Sequence, residues 1–237
     1  MGAEMFSESK KKRRIRQSVL CDRQSSEQEI GKIYHQRYQV RKILGEGGMG
    51  KVFLALDQKT GKEVAVKIVK DQKQWDRERV MLQKLKHTKG VPELFFAGKE
   101  KELFLVMEYI LGNSLKRYGS VCGKLYKKKS LLWMIKICKV LNKIHEQGII
   151  HMDLKPENIM LDRSGNIYLI DFGAALFAGE KLSGYGTKNY ASKKQAKTEE
   201  RADIFFDIFR NDYFMYINAF DYHITFMTSS FILIYIV

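Results

Sequence analysis

Gly45-Glu46-Gly47-Gly48-Met49-Gly50 lies between two runs of strand character. Tyr38-Gln39-Val40-Arg41-Lys42-Ile43-Leu44 precedes it, and Lys51-Val52-Phe53-Leu54-Ala55-Leu56 follows it. Apolar residues alternating at period two mark a strand with one buried face. The glycines therefore turn a hairpin. That sets the cluster apart from a dinucleotide-binding unit, where a similar pattern joins a strand to a helix. Alone it is weak, because many glycine-rich turns are only turns. Its value lies in the bare main chain, whose N–H groups can approach phosphate oxygens closely.

The alternation returns in Glu63-Val64-Ala65-Val66-Lys67-Ile68-Val69, after the turn Thr60-Gly61-Lys62. This predicts an antiparallel meander of three strands. Trp75 to Leu85 predicts a helix, with Val80, Leu82 and Leu85 in its apolar stripe. Leu94–Ala97 and Leu103–Tyr109 predict two more strands. Lys129 to Gln147 predicts a longer helix, with Leu131, Ile135, Cys138, Leu141 and Ile144 on one face.

Lys67 ends the apolar Val64-Ala65-Val66, seventeen residues beyond Gly50. An ammonium on a half-buried strand is costly unless something pairs with it. A phosphate together with a carboxylate would do so. Glu78, inside the predicted helix, is the best carboxylate; Glu63 and Glu93 are weaker, being on or next to strands.

His151-Met152-Asp153-Leu154-Lys155-Pro156-Glu157-Asn158 sits between Gly148-Ile149-Ile150 and Ile159-Met160-Leu161. An acid, a cation and an amide thus occupy a tight loop between buried anchors, where catalytic groups are commonly held. A turn at Asp162–Gly165 and the run Ile167-Tyr168-Leu169-Ile170 lead into Asp171-Phe172-Gly173. Residues 174–200 read as loop.

Bulk properties narrow the class. The cysteines, Cys21, Cys122 and Cys138, are odd in number and scattered. They suit neither a disulfide framework nor a zinc site; they argue for a reducing compartment, and the expected location is cytoplasmic. No apolar signal-peptide core follows the N-terminal charges. The formal net charge of +15 suits phosphate-bearing ligands, nucleic acid or acidic partners, but a lysine-rich surface is the plainer reading of it. No nucleic-acid module surrounds that charge. Residues 1–37 read as a disordered basic arm carrying Lys10-Lys11-Lys12-Arg13-Arg14-Ile15-Arg16.

From Tyr38 to Asp203 these motifs, in this order, resemble the eukaryotic-type (Hanks-type) serine/threonine protein kinase family. The short linker between Lys67 and Glu78 and the segment Gly186-Thr187-Lys188-Asn189-Tyr190-Ala191 are similar to bacterial members. The resemblance implies an α+β, bilobal fold: a five-stranded antiparallel N-lobe with one helix (38–110), then an incomplete, mainly helical C-lobe (111–205). It implies an ATP- and Mg²⁺-dependent enzyme, with Mn²⁺ as the alternative metal, acting on protein Ser/Thr hydroxyls. Gly45, Gly47 and Gly50 would close over the phosphates, and Lys67, held by Glu78, would contact them. Asn158 and Asp171 would hold the metal ions, Asp153 would accept the substrate proton, and Lys155 would neutralise the transferred phosphate. Leu44, Val52 and Ala65 would form the adenine slot beside backbone groups of Glu108 to Ile110, with Met107 at the gatekeeper position. Lys155 argues for protein over small-molecule substrates.

The chain departs from the family in three places. Met152 replaces an arginine that usually pairs with a phosphorylated activation loop, so control by phosphorylation at Ser183 or Thr187 is not expected. Ser192-Lys193-Lys194 stands where the family has Ala-Pro-Glu. After Asp203-Ile204-Phe205, which resembles the start of the helix whose aspartate braces the catalytic loop, residues 206–237 form an atypical apolar and aromatic tail. A truncated or frameshifted end is the preferred account of it. Phe226–Val237 is too short and broken to span a bilayer comfortably. The alternative to an active kinase is a truncated, catalytically weak or silent nucleotide-binding module.

Overall fold

The computed structural model describes residues 29–47, 50–121, 123–181, 201–204 and 206–207. The motif readings for Lys10–Arg16, Ser183, Gly186–Gln195 and residues 208–237 lie outside them.

The first half of the chain is a wholly antiparallel sheet of six strands. In chain order these are β1 (Ile33–Tyr34), β2 (Tyr38–Gly47), β3 (Gly50–Asp57), β4 (Glu63–Val69), β5 (Leu94–Lys99) and β6 (Leu103–Glu108). Their spatial order is β1-β2-β3-β4-β6-β5. The three-strand meander, the helix and the two later strands stand where the sequence places them. One strand more is present than expected, because β1 lies within the segment read as a disordered arm. Two residues are too few to show alternation. What holds β1 is Tyr34, whose buried ring packs against Phe104 and whose hydroxyl donates to Glu102 at 2.8 Å.

The β4 strand is buried on both faces, not one. Val64, Val66 and Ile68 join Tyr38, Val40, Phe53 and Phe104 on the outer side. Ala65 and Val69 face the other way, into the main core. A central strand with two packed sides reads as a near-continuous apolar run, and Lys67 is the exception within it.

Helix α1 (Gln72–Lys84) starts three residues earlier than its apolar stripe suggests. Asp71 caps it, accepting from the Gln74 N–H at 2.8 Å. The helix docks through Trp75, Met81 and Leu82, and the Trp75 indole N–H donates to the Phe104 carbonyl.

After β7 (Gly112–Ser114) come α2 (Leu115–Val121) and α3 (Gly123–His145). Helix α3 begins six residues before the predicted start, where lysines hide the apolar stripe. It ends at Gly148, whose φ of +69° suits a glycine after a helix and whose N–H returns to the His145 carbonyl. Short strands β8 (Ile149–Ile150), β9 (Ile159–Asp162), β10 (Ile167–Leu169) and β11 (Leu176–Phe177) follow. β9 is central in a β10-β9-β7 sheet, and β11 pairs with β8.

One apolar core unites both halves. Met81, Leu82 and Leu85 from the α1 side meet Ile137, Leu141 and Ile144 of α3, with Leu154, Ile159 and Phe172 packed among them. The loops around Asp153 and Asp171 are therefore seated on packed side chains rather than suspended in solvent.

Gly50 shows how tightly the hairpin is built. Its φ is +139°, and a Cβ there would lie 1.8 Å from the Ile68 carbonyl oxygen. Backbone cannot yield as a side-chain tip can. Gly50→Ala is expected to destabilise the fold by about 1–3 kcal/mol, read as a lower urea midpoint at unchanged slope.

Candidate active site

Two carboxylates converge on Lys67, one from the next helix along the chain and one from 104 residues away. Its Nζ donates to Glu78 Oε1 and Oε2, both at 2.7 Å, and to Asp171 Oδ1 at 2.8 Å. Lys67 and Glu78 are only 6% and 1% exposed, so this buried ion group must satisfy itself. Burial opposes the charge on Lys67, but the two carboxylates more than offset it and hold the ammonium firmly protonated. Burial pushes Glu78 up to about 7, with Lys67 pulling the other way. For Asp171, burial is outweighed by Lys67, and its carboxyl lies below the usual range. Of the carboxylates weighed from the sequence, Glu78 is the partner; Glu63 is exposed and Glu93 faces His87.

Asp171 has φ +68°, uncommon for a residue with a side chain. Its Oδ1 also accepts from the Gly173 N–H at 3.4 Å, a local contact of the kind that lets Asp adopt this conformation.

The second group gathers on the loop between β8 and β9. Lys155 Nζ binds Asp153 Oδ2 at 2.6 Å, and Asn158 Nδ2 donates to the same oxygen at 3.0 Å and to the Asp153 carbonyl at 2.9 Å. Asp153 is thus a buried carboxylate whose Oδ2 is held by two donors. With Nδ2 committed to Asp153, Oδ1 is the atom Asn158 can offer a cation.

Ile170 ties the two groups together. Its N–H donates to the Asn158 carbonyl at 2.9 Å, and its carbonyl meets His151 Nε2 at 3.1 Å. His151 Nδ1 accepts from the Asp153 N–H at 3.3 Å. These contacts fit the tautomer with its proton on Nε2.

The structure corrects the sequence reading of the brace beneath this loop. Asp203 is exposed, and the bracing carboxylate is Asp207. Its Oδ2 accepts from the His151 N–H at 2.7 Å and its Oδ1 from the Met152 N–H at 2.9 Å; His145 Nε2 lies 2.9 Å from Oδ2. The two aspartates are four residues apart, one helical turn, so residue type could not separate them. Met152, at φ +65°, is fully buried against Ile150, Ala174, Leu176, Ala202 and Phe206. The position read as a lost arginine is a packing residue.

The residues expected to form the adenine slot lie on neighbouring strands of the sheet. Ala65 pairs with Met107 across β4 and β6, and Val52 pairs with Lys67 across β3 and β4. Leu44 is 40% exposed at the rim. The Glu108 N–H donates to the Glu93 carbonyl, so any contact Glu108 makes with a base falls to its own carbonyl. A Cβ at Gly45 or Gly47 would meet nothing within 4 Å, leaving open space beside the hairpin.

Asp171 and Asn158 offer one carboxylate and one amide oxygen, hard donors of the kind that suit a divalent metal ion. Among the described residues no group of three or more His, Cys, Asp and Glu could hold an ion unaided.

The model of the protein kinase domain matches residues 38–209. Serine/threonine-protein kinase PrkC of Bacillus subtilis is 33% identical over 193 residues, 74% of this chain and 30% of that protein. A probable serine/threonine-protein kinase of Clostridium perfringens is 32% identical over 192 residues, 74% of this chain and 28% of its own length. Sperm motility kinase 2B of the mouse is 32% identical over 156 residues, 63% of this chain and 32% of that protein. The chain spans about three-tenths of the length of these curated relatives. With the match running from the first strand of the meander to the segment that braces the catalytic loop, the chain belongs to the protein kinase family.

Proposed function

We propose that this chain transfers the γ-phosphate of ATP to serine and threonine hydroxyls of proteins. One observation carries the reading most: Lys67, Glu78 and Asp171, from three separate elements, meet within 2.8 Å of one nitrogen. A buried ion group of that kind is expensive unless it has a use. Gly45, Gly47 and Gly50 admit the phosphates under the hairpin, while Lys67 bonds their oxygens. Leu44, Val52 and Ala65, with backbone groups of Glu108 and Ile110, take the base. Asp171 and Asn158 would hold Mg²⁺, which would supply positive charge to the phosphates. Asp153 accepts the proton of the substrate hydroxyl as its oxygen bonds to the γ-phosphorus and the bond to the ADP oxygen breaks. Lys155 neutralises the phosphoryl oxygens during transfer. Phosphoryl transfer asks a protein mainly for this positioning and charge.

A silent nucleotide-binding module finds no support at the site, because Lys67, Asp153, Asn158 and Asp171 are all in place. The organisation we favour keeps the lobe boundary at residue 110, adds β1 to the N-lobe expected at 38–110, and extends the C-lobe portion expected at 111–205 to take in Phe206 and Asp207. No helix among the described residues is long and apolar enough to cross a membrane. The cytoplasmic placement rests on the scattered cysteines.

The test is transfer of labelled γ-phosphate to a generic protein substrate by the full chain. The expected product is phosphoserine and phosphothreonine without phosphotyrosine. Chelation by EDTA should abolish the signal and Mg²⁺ restore it. Label on tyrosine alone, or none with Mg²⁺ or Mn²⁺, would overturn the reading.

A further inference from the structure

Arg77 and Glu180 belong to neither polar group of the site. Arg77 is the residue before Glu78 on α1, so its side chain leaves the helix about 100° around from that carboxylate. Its Nη1 donates to the Ala175 carbonyl at 3.0 Å, and its Nη2 pairs with Glu180 Oε1 at 2.9 Å. Glu180 Oε2 accepts from the Phe177 N–H at 3.0 Å. Two turns further along α1, Lys84 lies over the Phe177 ring. The helix that carries Glu78 is therefore fastened to the chain that follows Asp171-Phe172-Gly173.

Glu180 is also held from its other side. The Ala202 N–H donates to the Glu180 carbonyl at 2.7 Å, and the Gly179 N–H donates to the Ala202 carbonyl at 2.8 Å. Arg201 Nη1 adds a bond to the Gly179 carbonyl at 2.7 Å. Ala202 and Phe206 pack on Met152, and Asp207 holds the backbone of His151 and Met152. Glu180 thus stands where the brace of the catalytic loop meets α1.

We propose that Arg77 and Glu180 are positioning residues, which set α1 at the depth where Glu78 reaches Lys67. Both charges are encoded in the chain, so this docking needs no added phosphate, consistent with an apolar Met152. The inference rests on reading Lys67, Glu78 and Asp171 as the nucleotide cradle. The pair is partly exposed, so its effect comes less from bare charge than from the fork that joins Ala175, Glu180 and Phe177 in one geometry.

The test uses the full chain and four variants: Arg77→Ala, Glu180→Gln, the charge exchange Arg77→Glu with Glu180→Arg, and Arg79→Ala. Among the described residues Arg79 bonds within α1, to Gln83 and Asp76, and it serves as the control. Arg77→Ala and Glu180→Gln are expected to raise KM for ATP and lower kcat/KM for ATP by about tenfold, the size of one charge-assisted hydrogen bond. KM for the protein substrate should hold. General loss of folded protein would lower kcat alone. Amide exchange should quicken in both α1 and residues 174–180, and the charge exchange should restore a substantial part of protection and of KM. Exchange unchanged from the control, or no rescue by the charge exchange, overturns the proposal. If the wild type transfers no phosphate, the functional reading fails, and exchange alone decides whether the pair docks α1.

Discussion

Asp153→Asn is expected to lower kcat by about a thousandfold, the contribution of a well-placed proton acceptor, with Mg-ATP affinity nearly unchanged. Asparagine has nearly the same shape but cannot take the hydroxyl proton. Asp153 lies apart from the Lys67, Glu78 and Asp171 group, linked to it through His151 and Ile170. Nucleotide binding and proton acceptance should therefore separate. Asp171→Ala supplies the contrast, because it removes the proposed metal ligand and a partner of Lys67 together. It should lose metal-dependent nucleotide binding as well as turnover. The measurement is steady-state phosphoryl transfer beside fluorescence titration with a nucleotide analogue. A fall in affinity for Asp153→Asn as large as the fall in kcat would mean that the residue binds rather than reacts.

Features set by short spacing were legible in the sequence, and features set by distant contacts were not. The hairpin at Gly45–Gly50 and the Asp153–Asn158 loop each place their residues within one turn or strand, so spacing carries the geometry. Lys67 and Glu78 could be matched because a buried ammonium needs a carboxylate, and the helix was the best place to find one. The β1 strand failed that logic, since its two residues show no period and depend on Tyr34 reaching Phe104 and Glu102. Arg77 and Glu180 are 103 positions apart, and each looks like an ordinary surface charge. Asp207 was missed differently. Asp203 and Asp207 are the same residue type one turn apart, and only the path of the backbone decides which reaches His151.

Asp207→Ala is expected to cost about 3–5 kcal/mol of stability, the cost of leaving two buried backbone donors that had bonded a carboxylate without an acceptor. The carboxylate is fully buried, and its loss would strand the N–H groups of His151 and Met152 together with the His145 ring. Burial works against its charge, but the hydrogen bonds from His145 and His151 overcome this and hold its pKa below the ordinary carboxylate range. A depressed pKa stabilises the fold above the unfolded value, roughly pH 4, and that stability is lost as pH falls through the folded value. Urea unfolding of the wild type should therefore weaken toward acid by more than that of Asp207→Asn, which has no proton to gain at this position. Asn also keeps one acceptor for the backbone, so at pH 7 it should fall between wild type and Asp207→Ala. If Asp203→Ala destabilises as much as Asp207→Ala, the brace is shared between the two carboxylates. If Asp203→Ala alone does so, the brace lies one turn earlier, and Met152 and His151 are held by a different backbone path.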